Sequence, residues 1–295
     1  MYTTLISAAQ LQALKSSNAR LVVFDCSFNL MNAAEGEEKY HEAHIPGAVY
    51  ANLDTALSDK GVFDPDGKHH PHPDAASGGR HPLPSREKFA MWLSGVGFTN
   101  DMQAVVYDRN GANYCGRLWW MLKWAGHDAV AMLDGGLQAW QATGGEVTGG
   151  EEPAHFQSNF ELKAPLRKLA TLQDVEQGLA GRTQTLIDAR ATPRYKGEVE
   201  PLDPVAGHIP GALNRPFASN LGPDGKFKAP DQLRQEFDAL LAGRDPATVV
   251  HHCGSGVSAV PNVIAMELAG YAPASLFAGS WSEWSANAAR PVERG

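Results

Sequence analysis

Short apolar runs alternate along the chain with longer stretches whose apolar positions recur every three or four residues. Leu21-Val22-Val23-Phe24-Asp25, Ala104-Val105-Val106-Tyr107, Val130-Ala131-Met132-Leu133 and Thr185-Leu186-Ile187-Asp188 have strand length and carry β-branched or aromatic side chains. Between them, Ser7 caps a predicted helix through about Lys15 with Leu11 and Leu14 on one face, and Thr171 to Leu179 and Arg117 to Ala125 read as further helices. Strands and amphipathic helices in alternation predict an α/β fold in which parallel sheets carry helices on both faces.

The pattern occurs twice. His44-Ile45-Pro46-Gly47-Ala48 returns as His208-Ile209-Pro210-Gly211-Ala212, an offset of 164, and the strand-ending Asp25 returns as Asp188, an offset of 163. Later pairs (Val105/Val249, Gly126/Gly270, Gly135/Gly279, Trp140/Trp284) are 144 apart, so the first copy holds about 20 extra residues. These fall in the turn-rich stretch from Asp64 to Pro82, which reads as a loop. The expected organisation is a first domain over 1–143, a linker over 144–166 that contains Gly144-Gly145 and Gly149-Gly150-Glu151-Glu152-Pro153, and a second domain over 167–295.

Composition narrows the classes. The 295 residues suffice for two cores, and 43% hydrophobic with 20% charged residues is ordinary for globular protein. A net charge of −8 argues against nucleic acid and anionic membrane as partners. Cys26, Cys115 and Cys253 form no close pair, which fits a reduced compartment, and neither a basic, apolar leader nor an apolar run of about 18 residues is present. The expectation is a cytoplasmic protein.

Chemistry concentrates at His251-His252-Cys253-Gly254-Ser255-Gly256-Val257-Ser258-Ala259, between the apolar run Thr248-Val249-Val250 and a predicted helix from Val260. Strand, glycine-bearing loop and helix start together present free backbone N–H groups that favour negative charge. A cysteine there is a candidate nucleophile, because the thiolate is the reactive form. The alternative is a small buried hydrophobe at a strand end. A cysteine-dependent phosphatase needs an arginine six positions later; Ala259 stands there.

The string CGSGVSA resembles the active-site loop of tandem-domain rhodanese-family sulfurtransferases, and within them the mercaptopyruvate branch, whose loop usually reads CGSGVTA. The resemblance covers nearly the whole chain and implies the same fold for both halves, an inactive first copy that covers the loop of the second, and a site in the cleft between them. Counting back 144 from Cys253 reaches Arg109, so the first copy lacks the nucleophile. The resemblance further implies a Cys253 persulfide, no cofactor or metal, and a small acceptor of sulfur: cyanide, a thiol or thioredoxin. Gly254, Gly256, Val257 and Ser258 are expected to contribute to the anion-binding loop. The family's substrate arginine matches Arg194, while Arg190 braces the loop; either arginine, read alone, is equally a structural ion-pair partner. The second substrate arginine of many mercaptopyruvate enzymes falls at Asp203 here, which leaves thiosulfate as the alternative donor. His44 matches a catalytic histidine that acts with a serine, here Ser255, and an acidic residue, Glu35 or Glu37. Against this, HIPGA is a turn that His208 repeats without a second site. A carrier that only shuttles persulfide remains the non-enzymatic alternative.

Three other features read as structural. His69, His70 and His72 lack further ligands at metal spacing and sit in a proline-rich loop. Trp119, Trp120, Trp140, Trp281 and Trp284 recur at helical positions and predict core. Cys26 and Cys115 are packing residues, and Asp134, before Gly135-Gly136, is a turn or cap.

Overall fold

A computed structural model of the chain describes residues 1–63, 69–70, 72–154 and 156–295. Its strands are β1 (Leu5–Ile6), β2 (Leu21–Asp25), β3 (Val49–Tyr50), β4 (Val62–Phe63), β5 (His69–His70), β6 (Gln103–Tyr107), β7 (Val130–Leu133), β8 (Thr185–Asp188), β9 (Leu213–Asn214), β10 (Val249–His252) and β11 (Ser275–Leu276). Two sheets are wholly parallel, β1-β7-β6-β2-β3 and β11-β10-β8-β9, as the alternation of elements requires. The second sheet also keeps a trace of a fifth strand, the single parallel bridge Leu169–Leu276.

The helices that matter here are α1 (Ala8–Lys15), α2 (Glu35–Glu42), α3 (Arg86–Gly95), α4 (Cys115–Trp124), α5 (Gly136–Ala142), α6 (Leu172–Gly181), α7 (Thr192–Lys196), α8 (Pro230–Leu241), α9 (Val260–Leu268) and α10 (Ser280–Trp284). Ser7 with Gln10 and Thr171 with Asp174 close matching capping boxes on α1 and α6.

The chain forms two compact units. The first comprises 1–58, 84–166 and 223–226; the second comprises 59–83, 167–222 and 227–295. In the first, Val23, Val105, Tyr107, Leu133, Leu137 and Trp140 share one apolar cluster. In the second, Ile187, Leu233, Phe237, Val249 and Met266 fill one cluster, and Leu186, Ile209, Val250, Phe277, Trp281 and Trp284 fill another. The five tryptophans named above are all buried.

The segment 59–83, which holds most of the extra length of the first copy, belongs to the second unit. Its described part is not a plain loop, since β4 and β5 pair antiparallel. Residues 64–68 and 71, and the side chains of His69 and His70, lie outside the described residues. His72 Nδ1 stands 3.5 Å from Asp74 and 3.9 Å from Asp59, and no group of three metal-ligating side chains forms among the described residues. No helix among them is long and apolar enough to cross a membrane.

Candidate active site

β10 ends at His252 because the loop after it must turn into α9. Cys253 follows directly and is 2% exposed. Gly256 makes the turn with φ +73°, and a side chain there would collide with the backbone of Ala278. The loop is tied down from the next connection: Cys253 N–H donates to Ser280 Oγ at 3.1 Å, and Trp281 and Ser282 donate to the carbonyls of Cys253 and Gly254 at 3.0 and 2.9 Å. Ser280 holds φ +57°, rare for a non-glycine residue, and its hydroxyl donates in turn to the Phe277 carbonyl at 2.9 Å.

The two copies differ in what fills this loop. β8 pairs with β10 so that Asp188 faces His252, and β2 pairs with β6 so that Asp25 faces Tyr107. Asp108, not Arg109, therefore stands where Cys253 stands, which corrects the count by one residue. The 144-residue offset belongs to the segment after the helices, because α4 is one residue longer than α9. The Asp108 carboxylate accepts four backbone N–H groups, from Asn110, Ala112, Tyr114 and Cys115, at 2.8–3.0 Å. In the first copy a carboxylate thus fills the concavity. At the matching positions of the second, the buried N–H groups of Ser255, Val257 and Ala259 donate to no acceptor among the described residues. The first copy adds a left-handed residue, Ala112, to wrap its longer side chain.

Arg109 takes a different role. It reaches Asp25 at 2.8 Å, Ser27 Oγ at 3.0 Å and the Ala43 carbonyl. In the second copy Arg190 does this work on the equivalent Asp188: Nη2 at 2.6 Å, Nε at 3.0–3.1 Å, with Gly207 and Glu200 as further acceptors and Trp281 beneath the guanidinium. Burial pushes the Asp188 carboxyl up, but the adjacent His252 and Arg190 outweigh it and hold the group below the usual carboxylate range. Arg190 is the brace of the loop.

Arg194, on α7, stands beside the cysteine loop. A Cβ at Gly254 would lie 3.5 and 3.6 Å from its Nη1 and Nη2, and 3.1 Å from Nη2 of Arg80. Arg194 is held by Glu200 at 2.6 Å and Asp203 at 3.2 Å, and Asp203 also pairs with Arg80. Burial pushes the Asp203 carboxyl up and Glu200 adds to the rise, against the two arginines. Around these side chains the formal charges balance, with Arg80, Arg190 and Arg194 against Asp188, Glu200 and Asp203.

His44 belongs to the first unit. It is fully buried, stacked on Tyr40 with ring centroids 4.0 Å apart; Nδ1 contacts the Tyr40 carbonyl at 2.7 Å and Nε2 contacts Glu152 at 3.1 Å. Its acidic partner is Glu152, neither Glu35 nor Glu37. His208 repeats the arrangement with Tyr195 and Glu293, so each HIPGA histidine is held within its own turn. The histidine on the Ser255 hydroxyl is His81, with Nδ1 at 2.8 Å and 2% exposure. Nothing in the sequence pattern marks His81 or Arg80, since their adjacency to Pro82 in a turn-rich stretch offers no spacing that ties them to Cys253.

A rhodanese-like domain model matches residues 7–143 and 171–287. The chain is 45% identical to a Pseudomonas aeruginosa protein named "Probable 3-mercaptopyruvate sulfurtransferase", over 99% of this chain and 98% of that one. It is 32% identical to a bovine thiosulfate sulfurtransferase, over 90% of this chain and 84% of the relative. Among solved structures it resembles SseA from Escherichia coli, described as a 3-mercaptopyruvate sulfotransferase, with a TM-score of 0.74 and 27% identity over 95% of this chain and all of that one. With both copies matched and the repeat carried through sheets, caps and loops, the chain belongs to the rhodanese family in its two-copy form.

Proposed function

We propose that the protein is a sulfurtransferase that takes sulfur from 3-mercaptopyruvate and carries it on Cys253. The observation that carries this reading is the pair of matched loops: one encloses a carboxylate, and the other sets a cysteine in the same place, with the N–H groups of Ser255, Val257 and Ala259 lacking acceptors among the described residues. Those amides suit the thiolate first and the persulfide anion afterwards.

In the first half-reaction the Cys253 thiolate attacks the donor's sulfur. The C–S bond breaks, its electron pair passes to the carbon to give the enolate of pyruvate, and the thiol proton is returned to that carbon, leaving Cys253 as persulfide. Arg194 holds the donor's carboxylate, and the Ser255 hydroxyl, hydrogen-bonded to His81 Nδ1 at 2.8 Å, shares a proton with the enolate oxygen. Gly254, Gly256, Val257 and Ser258 shape the loop. In the second half-reaction an acceptor attacks the outer sulfur and the Cys253 thiolate leaves. Cyanide, a small thiol and reduced thioredoxin are the acceptors proposed.

The balanced charge of the cluster favours a monoanionic carboxylate over dianionic thiosulfate. Thiosulfate remains the second reading because the bovine thiosulfate sulfurtransferase is 32% identical over 90% of this chain. The test measures thiocyanate formation from cyanide with each donor. The expected result is a higher kcat/KM for mercaptopyruvate, and loss of all turnover together with the protein-bound sulfur in Cys253→Ala. Turnover that survives in Cys253→Ala rejects the mechanism; a preference for thiosulfate rejects the donor.

A further inference from the structure

We propose that Arg80, anchored by Asp203 beside Arg194, is the second donor-binding cation of this site and sets its preference for carboxylate donors. The inference rests on the reading of Cys253 as the sulfur acceptor and adds a specificity-determining residue to it.

The two arginines reach the loop from different segments of the same compact unit, Arg194 from α7 and Arg80 from 59–83. Asp203 joins them by accepting from Nη1 of Arg80 and Nη2 of Arg194. Glu200 takes Nε and Nη2 of Arg194 at 3.3 and 2.6 Å. Among the described residues, this leaves Nη1 of Arg194 and Nη2 of Arg80 without acceptors, and these are nitrogens that approach Gly254. Two guanidinium edges therefore converge beside the residue that follows the nucleophile. That is the arrangement by which a planar carboxylate is gripped.

Arg80 is more than a partner for Asp203. Arg80 gives Asp203 only one end of its fork, where arginine–carboxylate pairs are frequently bidentate. The other end is turned to the loop, and Nε is buried without an acceptor among the described residues, a state that costs free energy unless another group supplies one. The backbone is fixed as well: Arg80 N–H donates to Ser282 Oγ at 2.9 Å, next to Gly79 with φ +85°. The following residue is His81, on Ser255. Successive residues of one segment thus meet the loop at Gly254 and at Ser255, one with a charge and one with a proton-sharing ring. Asp203 keeps the two guanidiniums together against their mutual repulsion. The second cation that the resemblance places at position 203 is supplied from the other side.

The test is steady-state kinetics with 3-mercaptopyruvate and thiosulfate as donors and cyanide as acceptor. Arg80→Ala should raise the mercaptopyruvate KM at least about tenfold, the worth of one charged hydrogen bond, with the cyanide KM unchanged. Because Asp203 would be left buried and unpaired, Arg80→Ala/Asp203→Asn removes both charges together and should show the same donor effect. Arg80→Ala/Asp203→Arg, which moves the cation to the other side, should recover most of the donor KM. Donor KM within about twofold of wild type in Arg80→Ala/Asp203→Asn overturns the proposal, since that is the noise expected of a bracing residue. A wild-type protein that transfers no sulfur from mercaptopyruvate overturns the donor reading itself, and this inference with it; wild-type transfer with an unmoved double variant overturns this inference alone.

Discussion

Gly254 matters because it has no side chain. A methyl group there would stand 3.1 Å from Nη2 of Arg80 and 3.5 Å from Nη1 of Arg194, in the space proposed for the donor's carboxylate. Its backbone is not left-handed, so Gly254→Ala is compatible with the loop and should leave the melting temperature within about 3 °C. Sulfur transfer from mercaptopyruvate should fall at least about tenfold through KM, the loss of one charged contact. Unchanged KM would place the carboxylate elsewhere. The residues of this space were unevenly legible in the sequence. Cys253 and Arg194 sit in motifs with definite spacing. His44 also sits in one, but the motif is a turn that each copy needs, and its ring is held by Tyr40 and Glu152. His81 and Arg80 come from a segment with no counterpart in the second copy, and only folding brings them to the loop.

At the scale of elements, the two loops after β6 and β10 differ by what fills them, and the connection into α10 differs in step. Gly136 holds φ +59° at the start of α5, where a glycine bears it without strain. Ser280 holds φ +57° at the matching place, and its hydroxyl is the acceptor for Cys253 N–H. The strain at such a residue is worth about 1–3 kcal/mol, and one hydrogen bond returns about 1 kcal/mol. Ser280→Gly should therefore fold at least as stably as wild type by thermal denaturation while lowering kcat for sulfur transfer several-fold, because the backbone beside the nucleophile loses its anchor. Ser280→Ala keeps the strain and loses the anchor, so it should be less stable than the glycine variant and equally slow. Equal activity in all three proteins would reduce the hydroxyl to a packing group. Elements of this kind were readable in type from the strand-glycine-helix pattern, but their register was not. A one-residue difference between α4 and α9 displaced the sequence match from Asp108 to Arg109, and strand pairing was needed to recover it.

For the whole molecule, the repeat was legible because periodicity and capping survive divergence: both capping boxes, the paired strand ends and both HIPGA turns stand where the offsets put them. What the repeat could not reveal is the electrostatics of its interior, and this governs stability in acid. His251 lies within β10, fully buried, with Nε2 3.1 Å from the sulfur of Met266 and Nδ1 without a partner among the described residues. Desolvation, aided by the nearby charge of His252 and Arg215, lowers its pKa from 6.5 to about 3. Below pH 6.5 the unfolded chain takes up a proton that the folded chain refuses, so the stabilisation present at neutral pH is lost as pH falls toward 3. This one site accounts for about 2 kcal/mol by pH 5. His252, also buried with its pKa lowered by desolvation, acts in the same direction. Thermal unfolding followed from pH 7 to pH 4 should show a steep loss of stability in wild type. In His251→Leu the slope between pH 6 and pH 4 should be shallower by about one proton, roughly 1.4 kcal/mol per pH unit, whatever the variant's stability at pH 7. Parallel acid limbs in the two proteins would mean that the ring already takes up its proton inside the fold, and that another group drives the acid transition.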